Sequence, residues 1–68
     1  MSKLNWHKDQ PQSQRVQSAL QARHGDGVAA ARSLIMLSNL TYDPDTKYRA
    51  RADADRLFQM ARLAKARR

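Results

Sequence analysis

The residues of this chain best suited to a chemical role are its cations. Thirteen Lys and Arg face six acids in 68 residues, which gives a formal net charge of +7. Cations bind phosphate groups and acidic protein surfaces. Four of them lie in the last seven residues, without an acid among them: Arg62, Lys65, Arg67 and Arg68. Cations at a helix end also offset the helix dipole, and a small domain carries charge for solubility, so these structural interpretations stay open.

A second group of cations lies some fifteen residues earlier in the same segment. It consists of Lys47, Arg49 and Arg51. Two acids follow, and their spacing predicts neutralising pairs, of Asp53 with Arg49 or Arg56 and of Asp55 with Arg51. The start of this segment is therefore predicted to be a solvated face of mixed charge, and the end to remain uncompensated.

Other chemistry has little support in the residue types. The chain has no cysteine, and His7 and His24 are seventeen residues apart. A structural zinc site needs about four ligands, and catalysis needs a constellation of acid, base or nucleophile, neither of which this spacing offers. We expect no enzyme activity, no metal and no cofactor.

Three helices are predicted to position the cations. The periodicity and end signals favour an all-α, small three-helix bundle with helices at about 10–24, 27–40 and 43–68, in a single domain over 10–68. Asp9 and Gln12 resemble a capping box, and Pro11 suits a first turn. Gly25 suits the end of the first helix.

The second helix, Val28–Leu40, is the most apolar segment. Asp26 is its predicted N-cap. Apolar residues cover most of its circumference, which is typical of a helix that is buried on several sides. A homodimer through an uncovered face of Val28–Leu40 is compatible with the same pattern.

The third helix has a strong start signal in Asp43, Pro44 and Asp45. Its apolar residues recur at spacings of three and four and share one face. This stripe is predicted to close the core against the second helix. It contains Ala50, Ala54, Leu57, Phe58, Ala61 and Ala64.

The first nine residues form a predicted irregular arm, 1–9, with Leu4 and Trp6 as its large apolar groups. A chain this small needs its large side chains for the core, which favours packing of Trp6 over the bundle. Stacking of Trp6 on a base or a partner is the alternative interpretation.

No apolar run approaches the roughly 20 residues that span a membrane. No run is longer than four residues, the length of the run from Leu34 to Leu37. The N-terminal residues also lack the apolar stretch of a signal peptide. We therefore expect no membrane contact and a cytoplasmic location.

Two hypotheses about function follow. The first is a small regulatory protein that binds DNA or RNA mainly through phosphate contacts of the last helix. The alternative is a protein-interaction module, such as an accessory or inhibitory protein of a phage or other mobile element, that docks its basic helix on an acidic partner. A helix-turn-helix with the second helix as reader is less well supported, because Val28–Leu40 lacks polar side chains for bases. A version in which the last helix is the reader, with cations such as Arg49 at its start in a groove, stays open, but it places three acids near phosphate: Asp43, Asp45 and Asp53.

Overall fold

The computed structural model describes residues 6–66, and within them it contains three α-helices and no strand. Helix α1 comprises Gln12–Ala22, α2 Gly27–Leu40 and α3 Pro44–Ala66. The prediction of a small all-α three-helix bundle is confirmed. Leu4, Arg67 and Arg68, for which roles are predicted above, lie outside the described residues.

The start of α1 differs from its prediction. The helix begins at Gln12, two residues later than expected, with Pro11 in the N-cap position and no side chain capping it. The predicted capping box of Asp9 and Gln12 is wrong. The side-chain Nε2 of Gln12 instead donates to Asp53 Oδ1, 3.2 Å away on α3.

The turn between α1 and α2 follows the local signals closely. His24 and Gly25 both adopt positive φ, 54° and 83°, which ends the α1 hydrogen-bond ladder. The Gly25 N–H donates to the Leu20 carbonyl at 2.8 Å. Asp26 then caps α2 by accepting from the amides of Val28 and Ala29. Both predicted signals are confirmed.

The start of α3 is capped as its sequence predicts. Asp43 Oδ2 accepts from the Thr46 amide at 3.3 Å and from the Thr46 hydroxyl at 2.6 Å. Pro44 is the first helical residue, where its missing N–H costs no hydrogen bond. Lys8 of the arm completes the arrangement, with Nζ 2.8 Å from the same Asp43 oxygen.

This cap makes the stability of the fold depend on pH. The hydrogen bond from Lys8, followed by those from Thr46, lowers the pKa of Asp43 from 3.8 to about 2. The ionised carboxylate therefore stabilises the native state fully above pH 3.8, and this contribution is lost as the pH falls towards 2.

In the variant Lys8→Gln, NMR titration is expected to show the Asp43 pKa returning towards 3.8, because the hydrogen bond from Lys8 is lost. Urea midpoints should then fall less between pH 5 and pH 2.5 than in the parent. Lys65→Gln removes the same charge elsewhere and should leave the Asp43 pKa unchanged.

The core is built mainly from small side chains. Among residues 6–66, five of the nine buried apolar side chains are alanines, which lets the helices approach closely, and Leu34 and Leu57 are the bulkiest residues with no exposed surface. Most interhelical contacts join α2 to α3, and α1 packs on both. The buried apolar residues are Trp6, Val16, Ala19, Ala30, Ala31, Leu34, Ala50, Ala54 and Leu57.

The apolar stripe of α3 is buried over only part of its length. Ala50, Ala54 and Leu57 are buried as predicted, Phe58 and Ala61 are half-buried, and Ala64 is exposed. Ala61 lies opposite the start of α2, where a Cβ built on Gly27 would lie 3.6 Å from the Ala61 Cβ. Because α3 continues past this point, Ala64 lies beyond the start of α2 and stays exposed.

Trp6 closes the other end of the core and is 8% exposed, so its predicted packing role is confirmed. Its indole Nε1 donates to Asp53 Oδ2 at 2.9 Å. The Arg15 guanidinium lies 5.9 Å from the indole ring centroid, within the range of a cation–π contact.

Asp53 is the centre of a buried polar network. It is fully buried, and Arg15 donates to both of its oxygens, from Nε at 2.7 Å and from a terminal nitrogen at 2.9 Å. This bidentate pair satisfies the carboxylate and raises the pKa of Arg15. The predicted pairing of Asp53 with Arg49 or Arg56 on a solvated face is therefore wrong.

Two arginines also hold the arm against the bundle. Arg15 donates to the Gln10 carbonyl at 2.8 Å, and Arg49 donates to the Lys8 carbonyl. Together with Trp6, these bonds make the described part of the arm an integral part of the fold.

Candidate functional site

The C-terminal end of α3 projects beyond the rest of the bundle. Beyond Ala61, each of the next five side chains is exposed, including those of Arg62 and Lys65. Neither of these cations forms an ion pair within 4 Å in the described part of the chain. This end therefore offers cations to a partner without first breaking an internal contact.

The predicted cations at the two ends of α3 lie on the same side of the helix. At about 100° per residue, Lys47, Arg51, Arg62 and Lys65 fall within about 60° of one another. Lys47 and Lys65 are five turns apart, or about 27 Å along the axis. All four are exposed. We call these four residues the basic stripe.

Arg49 belongs to another part of the surface. It is half-buried, about 140–160° around the helix from the members of the stripe, and its guanidinium is bound to the Lys8 carbonyl. Arg56, which is exposed, lies about 120° from Arg62. The structure thus separates the exposed cations of the stripe from a cation that holds the arm.

A groove lies beside the C-terminal half of the stripe. Val28, Phe58 and Ala61 give it an apolar floor, and Arg62 and Lys65 line its edge, in a volume of about 530 Å³. The groove is also lined by Gln59.

One acid lies among the cations of the stripe. Asp55 lines the same groove as Arg62, and among residues 6–66 it forms no ion pair within 4 Å. Its predicted pairing with Arg51 is therefore wrong. The Arg51 guanidinium instead lies 3.5 Å from Asn39 Oδ1 on α2.

Three exposed residues of α2, of the connection before α3 and of α3 were not predicted to belong to a site. Arg32 follows Val28 by one turn of α2, Tyr42 lies in the connection before α3, and Tyr48 precedes Arg51 by three residues on α3. Arg32 is the one cation of a helix whose apolar composition indicated only the core. In the sequence, both tyrosines lie close to Lys47 and Arg51. Helical periodicity alone does not show whether such a ring serves the core or a partner.

The predicted homodimer face of α2 stays a prediction. Val28, Met36 and Leu40 are exposed on this helix, whereas Leu34 is fully buried. Apolar side chains are therefore accessible along part of Val28–Leu40.

No helix of the described residues combines the length and the apolar character needed to cross a membrane.

The fold and this surface define a class, that of small all-α bundles with a basic face along a projecting helix. Comparison with protein-family models, with curated proteins and with solved structures found no match to the chain.

Proposed function

We propose that this protein is a small basic regulator that binds DNA or RNA mainly through contacts between α3 and phosphate groups. The observation that carries the proposal is the basic stripe, in which four exposed cations share one side of α3. Arg67 and Arg68 continue the same charge beyond the described residues.

The length of the stripe suits a nucleic-acid backbone. Its span of about 27 Å corresponds to about eight phosphates along one strand, at 3.4 Å each. Cations spaced along such a line neutralise phosphates and release counterions, and this supplies most of the affinity of binding that is independent of sequence.

The burial of Asp53 strengthens the proposal. Because this acid is neutralised internally by Arg15, it does not reduce the field of the exposed α3 cations. Asp43 likewise forms a salt bridge with Lys8. Asp55 is the acid that remains beside the stripe, so the surface is more basic than a count of charges along α3 suggests.

The test is binding measured across a salt series. Fluorescence anisotropy with labelled duplex and single-stranded probes should give a slope of log K against log salt of about −3 to −4 if four phosphates are neutralised. Affinity should then fall roughly a hundredfold between 50 and 200 mM salt. Replacing all four stripe cations by glutamine should reduce the magnitude of the slope by about 3–4.

A matched pair of variants separates the stripe from net charge. Arg62→Gln and Arg56→Gln remove the same charge from exposed positions of one helix. We expect Arg62→Gln to reduce the slope by about 1 and Arg56→Gln to change it little. Equal losses in the two variants, or no binding of any probe at low salt, would contradict the proposal.

The alternative, a protein-interaction module, is supported by a second groove beneath the projecting end of α3. Leu20, Leu57 and Met60 give this groove an apolar lining of the kind that receives side chains of a partner. Leu63 is exposed on the same end of α3. Docking on an acidic protein becomes the preferred proposal if no nucleic acid binds at low salt.

A further inference from the structure

Two tyrosines near the start of α3 are exposed far beyond what packing requires. Tyr42 is 102% exposed and Tyr48 is 76% exposed. Within residues 6–66 neither hydroxyl takes part in a side-chain hydrogen bond, whereas Trp6 is both buried and hydrogen-bonded. The chain therefore uses Trp6 for the fold and leaves both tyrosine rings accessible to solvent.

The position of these rings relates them to the basic stripe. Tyr48 precedes Arg51 by three residues, a spacing that places their Cβ atoms about 5–6 Å apart on the helix surface. It is also the direct neighbour of Lys47. Tyr42 lies in the connection just before Asp43 caps α3, six residues before Tyr48. Tyr48 thus lies beside cations that would hold a phosphate backbone, and Tyr42 precedes the same end of α3.

Aromatic rings beside a line of cations are the arrangement that binds unpaired bases. Proteins that bind single strands combine a positive track for the backbone with aromatic side chains on which successive bases stack. The bases of a duplex are already stacked on one another and paired, so an exposed tyrosine ring adds little affinity for a duplex. Tyrosine suits this role because its ring is apolar while its hydroxyl stays hydrated.

We propose that the preferred ligand is single-stranded nucleic acid, with its phosphates on the basic stripe and bases stacked on Tyr42 and Tyr48. This inference rests on the proposed nucleic-acid function, which it makes specific. It assigns the phosphates to Lys47 and Arg51 at this end of α3, and it gives the tyrosines no part in duplex binding.

The experiment compares three labelled probes of equal length, about twelve nucleotides: an oligo-adenylate strand, an abasic strand and a duplex. The abasic strand keeps the phosphates and removes the bases. Oligo-adenylate should bind at least tenfold more tightly than the abasic strand. Tyr42→Leu and Tyr48→Leu should each weaken oligo-adenylate binding about tenfold and leave abasic binding unchanged. Binding of the ribose and deoxyribose strands is measured in parallel, and tyrosine-dependent binding of either supports the proposal.

Two controls distinguish stacking from other effects. Tyr42→Phe and Tyr48→Phe keep the ring and should retain tight binding, while Met36→Ala alters an exposed apolar residue on α2 and should change nothing. If the leucine variants bind oligo-adenylate as tightly as the parent while loss of the stripe weakens it, the stacking proposal is overturned and phosphate binding stands. If no probe binds at low salt, both proposals are overturned.

Discussion

Replacing Arg15 with methionine is expected to lower the free energy of unfolding by about 3–5 kcal/mol. The guanidinium donates to both oxygens of Asp53, whose side chain has no exposed surface. Without it, a buried carboxylate keeps only the donors of Trp6 and Gln12. A loss of this size is a large part of the stability of a small domain, about 5–15 kcal/mol in total.

A double-mutant cycle tests whether the pair itself is responsible. Asp53→Asn removes the charge and retains an oxygen that can accept from Trp6, so Arg15→Met with Asp53→Asn should be more stable than Arg15→Met alone. Stability is measured by urea unfolding, followed by circular dichroism and by the fluorescence of Trp6, the single tryptophan. Arg56→Met removes an exposed arginine and should cost less than about 0.5 kcal/mol. Equal costs for Arg15→Met and Arg56→Met would disprove a structural role for the network.

Leu57→Ala is expected to cost about 2–5 kcal/mol. Among the described residues, Leu57 is one of two fully buried leucines in a core built mainly from alanine, so neighbouring small side chains cannot fill the cavity that it would leave. Its backbone carbonyl also lies beside Gly27, where α2 begins. The measurement is the urea midpoint at constant m-value.

The control for this prediction is the same substitution on the same helix. Leu63 is 62% exposed, on the projecting end of α3, and Leu63→Ala should change stability by less than about 0.5 kcal/mol. If Leu63→Ala cost as much as Leu57→Ala, the end of α3 would have to be packed against a second copy of the chain.

The helices and most of their ends were predictable because their signals are local. Asp26 caps amides two and three residues away, and Gly25 ends α1 with a bond to Leu20. The predicted capping box of Asp9 and Gln12 is absent because of a contact between residues far apart in the sequence. Gln12 has a better partner in Asp53, 41 residues further along the chain.

The cations of the candidate site were visible in the sequence, but their availability was not. Lys47, Arg49 and Arg51 look equivalent in the sequence, yet Arg49 alone is bound to the arm. Asp53 was assigned to nearby arginines by the spacing rule for helices. That rule describes an isolated helix, on which every side chain faces water.

The sequence by itself determined the three helices, the apolar stripe of α3 as far as Leu57 and the net charge of +7. These follow from contacts between residues a few positions apart and from composition. Only the tertiary structure decided that Asp53 is buried against Arg15, 38 residues away, and that Trp6 covers the pair. The packing of α1 on α3 brings those groups together and removes water from them, and it thereby decides which charges remain outside for a partner.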